Sequence, residues 1–144
     1  LKLLSVDWDF FFPNLVYYDW GHRENDIFIN YLWQLRAGSR NLKTGQWAVD
    51  CVHPDMTIVR NFWDRAVTNF GRVKTLVVAE SHLSLYNVLE EGNSSYDVDN
   101  YDAHHDFGYE AVDYIDCGNW AQYAVAKNLI QHYRLYYPEW RFRA

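Results

Sequence analysis

The chain predicts an α/β fold with a mostly parallel sheet. Short apolar runs of strand type alternate with segments whose apolar residues recur at helical spacing. Its 144 residues suffice for one hydrophobic core and read as a single domain, 1–144. Each polar constellation also follows directly on an apolar run, which in such sheets places it at the ligand-binding edge beyond the strand ends.

Leu3-Leu4-Ser5-Val6 reads as a buried strand within Leu1 to Phe12, ending in Asp7-Trp8-Asp9 and closed by Pro13. Asp26 to Leu35 carries helix-like spacing, with Gly38 as its stop. Gly38 to Asp50 reads as a loop or short hairpin turning at Gly45. Pro54 opens a helix over Asp55 to Phe70, with Ile58, Phe62, Ala66 and Phe70 on one face and Gly71 past its end. Thr75 to Ala79 reads as a second buried strand, followed by Glu80-Ser81-His82 and a short helix to Leu89. Glu91 to Ser95 is turn chemistry, and Tyr96 to Tyr101 a third strand. Gly118 to Tyr136 is expected to form one long amphipathic helix burying Trp120, Tyr123, Ala124, Leu129 and Tyr133. Pro138 ends it, and Trp140 to Arg143 starts a fourth strand.

The formal charge is −6, and no Lys or Arg occurs from Thr75 to Ala126, a stretch that holds ten acidic residues. Such a segment attracts cations and repels phosphate backbones, which argues against nucleic acid as a partner. Glu90, Glu91, Asp97 and Asp99 read as solvated acids. Two cysteines, Cys51 and Cys117, provide no disulfide framework and fit a reducing cytoplasm. No basic-then-apolar leader and no apolar run of membrane-spanning length is present, so a cytoplasmic protein without membrane attachment is expected. The first residue is not Met, which reads as a processed or excerpted chain. Aromatics make up 19% of residues. They fill a core, or wall a cleft in which Trp8 and Trp47 are candidates.

Asp102-Ala103-His104-His105-Asp106 is the most specific motif. In extended geometry its alternate residues Asp102, His104 and Asp106 share a face. Carboxylates and an imidazole crowded together call for a cation between them, and this donor set suits manganese, iron or zinc. With Asp7, Asp9 and His82 there are six ligand candidates, about the number that two divalent ions with shared carboxylates require. His105 is a candidate proton shuttle, and Glu80 and Glu110 are candidate general bases. Asn119 reads as a helix cap and candidate substrate contact beside Trp8, whereas His22, His53 and His132 read as structural.

Asp102-Ala103-His104-His105-Asp106 resembles the D-A-H-x-D motif of the arginase/ureohydrolase fold. Ser5-Val6-Asp7-Trp8-Asp9 resembles that family's S-x-D-x-D motif, and Ala79-Glu80-Ser81-His82 lines up with its G-G-D-H motif. From Glu80 through Trp140 the chain is also similar to the uncharacterised UPF0489 family, through the His82 and Asp102 segments, Asn119-Trp120 and Tyr137-Pro138-Glu139-Trp140. The resemblance implies a three-layer α/β/α sandwich and a metal-dependent hydrolase, with Mn(II) ahead of Zn(II) or Fe(II). It assigns Asp7 and Asp102 as bridging ligands, His82 and Asp106 to one ion, and His104 and Asp9 to the other. A hydroxide shared by the two ions would then attack the planar carbon of a small guanidino, amidine or amide substrate. The chain departs from the family in motif order, with S-x-D-x-D first here. It also replaces G-G-D by Ala79-Glu80-Ser81 and has no match for the family's substrate carboxylate or shuttle His. Two other readings stand beside it: a magnesium-dependent phosphatase-like enzyme using Asp7, Asp9 and Lys74, and a non-catalytic protein-interaction domain.

Overall fold

The computed structural model describes residues 1–12, 31, 34–35, 37–39, 45–47, 53–108 and 113–142. Within them the chain is α/β. Strands β1 (Lys2–Val6), β2 (Tyr96–Tyr101) and β3 (Ile130–Tyr136) form a parallel sheet in the order β1-β2-β3. The helices are α1 (Met56–Phe70), α2 (Ser84–Gly92) and α3 (Trp120–Ala126), with 3-10 turns at Trp8–Phe11 and Glu139–Phe142.

The register sets Leu3 beside Val98 and Val98 beside Tyr133, and Ser5 beside Asn100 and Asn100 beside Leu135. Alternation makes these one face of the sheet. It carries the core: Tyr86 and Leu89 of α2, Val98, and Trp120, Ala121 and Ala124 of α3 are buried together with Ile130. The other face pairs Asp97 with His132 and Asp99 with Arg134. At its end Tyr101 stacks on Tyr136 and meets Phe62 of α1 and Phe10 of the first turn.

Several expectations are corrected. Gly118 to Tyr136 is not one helix: α3 stops at Ala126, Asn128 takes a left-handed φ of 60°, and the chain returns as β3. The register slips beside Tyr96/Asp97, leaving Gln131 as an extra residue, so that Ile130 and Tyr133 both reach the core. A bulged strand thereby presents apolar residues three apart, which imitates helical period. Of the strand expected over Trp140 to Arg143, Trp140 to Phe142 lies in a 3-10 turn, Glu139–Phe142, and Arg143 is outside the described residues. Thr75 to Ala79 is neither paired nor buried: Leu76, Val77 and Val78 are 78%, 53% and 87% exposed. An unbroken apolar run has no period of its own and so does not distinguish a buried strand from an exposed one. On α1, Val59 and Ala66 are buried, whereas Ile58 is exposed.

The helix expected to end at Leu89 runs on to Gly92, so Glu91 and Gly92 are helix rather than turn, while other boundaries agree. β2 spans Tyr96–Tyr101, Asp55 caps α1 through Thr57 N–H and Ile58 N–H, and Gly71 ends it at φ 67°. Asn93 closes α2 at φ 43°, and Gly45 takes a φ of 71°, while residues 40–44 and 48–50 of the expected loop lie outside the described residues. Of the first expected helix only Tyr31, Gln34 and Leu35 are described, all helical; Gly38 N–H closes on Gln34 O. The rest of that helix, Pro13, His22, Cys51 and Glu110 lie outside the described residues. No helix among the described residues is long and apolar enough to cross a membrane.

Leu89→Ala, at a fully buried position, is expected to lower unfolding free energy by about 2–5 kcal/mol. Asp55→Ala, which frees two N-terminal amides of α1, is expected to cost about 1 kcal/mol. Urea titrations check both.

Candidate metal centre

The site forms where β1 and β2 end. Asp7 N–H donates to Tyr101 O at 2.9 Å, which carries the strand pairing one residue further. Asp7 then caps the first 3-10 turn, its Oδ1 accepting from Asp9 N–H. That turn swings Asp9 towards β2, where its Oδ1 accepts Ala103 N–H at 3.1 Å. Beyond β2 the chain bends, with Asp102 Oδ1 accepting His104 N–H at 2.7 Å and Asp106 at a left-handed φ of 55°.

This bend corrects the expectation of a shared strand face. Extended geometry ends at Tyr101, and His104 and Asp106 diverge from Asp102 to two different partners. Asp106 turns to His82, whose Nδ1 lies 2.9 Å from Asp106 Oδ2, 3.1 Å from Asp102 Oδ2 and 3.3 Å from Asp7 Oδ2. His104 turns to Asp9, with its Nδ1 2.8 Å from Asp9 Oδ2 and 3.6 Å from Asp102 Oδ1. Two groups result, Asp7–His82–Asp102 and Asp9–Asp102–His104, and within each one donor atom per residue lies within 4.8 Å of the others. Asp102 belongs to both.

The geometry at His82 is the most informative. Its Nε2 is 2.7 Å from Ser5 Oγ, so that nitrogen is engaged. Its Nδ1 is buried and makes no hydrogen bond of acceptable angle, although three carboxylate oxygens surround it. A buried ring nitrogen 2.9–3.3 Å from three carboxylate oxygens, with no hydrogen bond of good angle to any of them, is a place that a shared cation would satisfy.

The charges are correspondingly frustrated. Burial, with the neighbouring Asp7 charge, pushes Asp9 up to about 7. Burial does the same to Asp106, to about 7, with the Asp102 charge adding to it. Burial also opposes ionisation of Asp102, but contacts with His104 and His82 outweigh it and hold this carboxylate below the usual range. Contacts with Asp102 and then Asp9 raise His104 to about 10. At His82 burial resists protonation, yet the three carboxylates prevail and raise it well above an ordinary histidine. Without a cation the cluster balances itself only by holding protons.

Three supporting residues escape a reading of the sequence for ligands. Ser5 fixes His82. Trp120, expected only in the core, donates from Nε1 to Asp106 Oδ2 at 2.6 Å and lies against the His82 ring at 5.0 Å. Asn100 donates to Asp102 Oδ2 and stands 2.9 Å from Tyr133 Oη. Ser5 shares strand parity with Asp7, and Asn100 with Asp102. That parity, with the place of Ser5 in the S-x-D-x-D motif, is the signal the sequence offers for these two.

Other candidates sit apart from the cluster. Asn119 is buried, its Oδ1 accepting Asp116 N–H and its Nδ2 donating to Tyr114 O, so it holds its own loop rather than capping α3. His105 Nδ1 accepts Phe107 N–H, and burial with the Arg141 charge lowers its pKa. Glu80 is exposed, and His82 follows a loop rather than a paired strand. Trp8, 52% exposed, stands edge-on to Phe11 and, with Asp9 and His104, lines a cleft of about 2830 Å³. Trp47 is exposed; of the other imidazoles expected to be structural, His53 is exposed and His132 pairs with Asp97. Family models, curated proteins and solved structures give no match to this chain.

The proton balance predicts an inverted pH response of metal-free protein. Asp9 and Asp106 hold protons to about pH 7, whereas unfolded carboxyls release them near pH ~4. His104 holds its proton to about 10, against roughly 6.5 in the unfolded chain. The native state thus binds more protons across this window, and stability falls as pH rises through it. Asp102, ionised in both states there, adds no slope. Chelator-treated protein should melt at lower temperature at mildly alkaline than at mildly acidic pH, and added Mn(II) should remove most of the difference. Melting curves that rise with pH in the chelated protein would contradict this account.

Proposed function

We propose that the chain is a metal-dependent hydrolase-like domain with a binuclear centre in an arginase-like three-layer α/β/α fold. Its reaction is cleavage of a C–N bond in a small guanidino, amidine or amide compound. One observation carries the metal reading: His82 Nδ1 is buried among three carboxylates and hydrogen-bonded to none, while Ser5 holds the opposite nitrogen.

Asp7, His82 and Asp106 would hold one ion, Asp9 and His104 the other, with Asp102 common to both groups. The mixture of carboxylate and imidazole suits Mn(II), and Zn(II) or Fe(II) fit the same donors. Two such cations would supply a water acidic enough to give a nucleophile at neutral pH. The chain's own part is to hold the donors still. Ser5 and Trp120 fix His82 and Asp106, Asp7 and Asp9 are tied by backbone amides, and Asn100 restrains Asp102. His104, about half exposed, faces solvent with Trp8 beside the cleft. A planar cationic group would be drawn there by the carboxylates and by the Trp8 ring. His105, lowered in pKa and so neutral at pH 7, is better suited than exposed Glu80 to take up a proton.

The phosphatase-like reading is less well supported. Asp7 spends Oδ1 on its own turn and aims Oδ2 at His82, and two imidazoles sit where an all-oxygen magnesium site would need oxygens.

Elemental analysis of protein purified without chelator should find about two equivalents of a divalent transition metal. His104→Ala should lose one of them and His82→Ala the other, with the fold retained by circular dichroism. Ser5→Ala should keep both while weakening affinity about 10–100-fold. Wild-type protein that binds no manganese, zinc or iron in titration calorimetry would end the proposal.

A further inference from the structure

Every residue of the stretch from Arg72 to Glu80 is exposed, and the stretch follows directly from the Gly71 stop of α1 and leads into His82. Its residues from Thr75 to Ala79 show no helix, turn or bend. Among the described residues none of its backbone N–H or C=O groups takes a backbone hydrogen bond. Its sequence, Arg-Val-Lys-Thr-Leu-Val-Val-Ala-Glu, is rich in β-branched residues, and Val73, Leu76, Val77 and Val78 stand 53–87% exposed. A run of unpaired amides flanked by exposed apolar side chains is a template for another strand.

Its charge pattern selects the partner. We infer that Arg72 to Glu80 pairs antiparallel with the same segment of a second copy of this chain, across a two-fold axis at Leu76. In that register each residue n faces residue 152 − n, since 76 is opposite itself and the pairing is isologous. Arg72 then meets the partner's Glu80 at both ends of the ribbon. Neither side chain forms an ion pair with a described residue. The interior pairs follow the same logic. One face sets Leu76 against Leu76 and lays the Lys74 stem over Val78. The other sets Val73 against Ala79 and Thr75 against Val77, so that it carries no charge at all. Opposite charges and β-branched residues directly across an antiparallel pair are the stabilising combinations. A shift of register by one residue would move both ion pairs out of line and set the charged face of one copy level with the apolar face of the other.

Charge reversal tests the pairing directly. Wild-type protein should show a concentration-dependent dimer by sedimentation equilibrium between low and high micromolar concentrations. Arg72→Glu alone and Glu80→Arg alone each place like charges at both ends and should weaken the dimer about tenfold or more. The double variant restores opposition and should dimerise as wild type does. An equimolar mixture of the two single variants should form heterodimers, which also shows that neither variant is misfolded. A monomeric wild type, single variants that dimerise unimpaired, or a double variant that stays monomeric would each overturn the inference.

Discussion

The structure depends on the encounter of four carboxylates with two imidazoles at the ends of β1 and β2. Asp7, Asp102 and Asp106 crowd the Nδ1 of His82, and Asp9 and Asp102 crowd His104. Burial removes the water that would otherwise screen them, so each charge must be balanced by a proton or a cation from the same small volume. The opposed shifts of neighbouring carboxyls, Asp102 down and Asp9 and Asp106 up, express that shortage.

The fold serves the cluster by bringing distant segments into register. Parallel pairing of β1 with β2 aligns Val6 with Tyr101, so Asp7 and Asp102 leave the sheet side by side. Helix α3 returns the chain to β3 and in doing so sets Trp120 beneath Asp106 and His82. Trp120 is fully buried and belongs to both the core and the site. Packing energy is thereby coupled to ligand geometry: the indole cannot shift to fill a void without releasing Asp106.

The sequence made part of this legible. Asp7, Asp9, His82, Asp102, His104 and Asp106 could be read as one constellation from residue type and spacing, and the coordinates bring all six together. β1, β2, α1 and its caps were equally readable, because alternation, an Asp at the N-cap and a Gly past the C-terminus are local signals. The failures are non-local. Whether Thr75 to Ala79 pairs depends on what lies beside it, and nothing in Leu-Val-Val says so. The Gln131 bulge gave β3 a helical disguise. The bend after Tyr101 replaced the strand geometry expected for Asp102 to Asp106, and it is the bend that lets them converge, since an extended run would spread five residues over about 13 Å. Ser5 and Trp120 were visible as residues but not as partners, because a hydrogen bond to a ligand follows from three-dimensional packing.

The exposed segment and the site are not independent. Glu80 ends the stretch that offers its backbone to a second strand, and His82 lies two residues on. His82 is reached from a loop with no paired strand behind it, unlike Asp7 and Asp102, which are anchored by β1 and β2. The imidazole that faces three carboxylates is therefore held from its C-terminal side, where its carbonyl accepts Leu85 N–H, and not by a strand before it. Ser5, Trp120 and the packing of α2 fix its ring from the far side. Pairing of Arg72 to Glu80 with another strand would fix its entry as well. Ordering a segment immediately upstream of a ligand lowers the entropic cost of holding that ligand in place, so assembly and cation affinity would be linked through a backbone that the monomer leaves unpartnered.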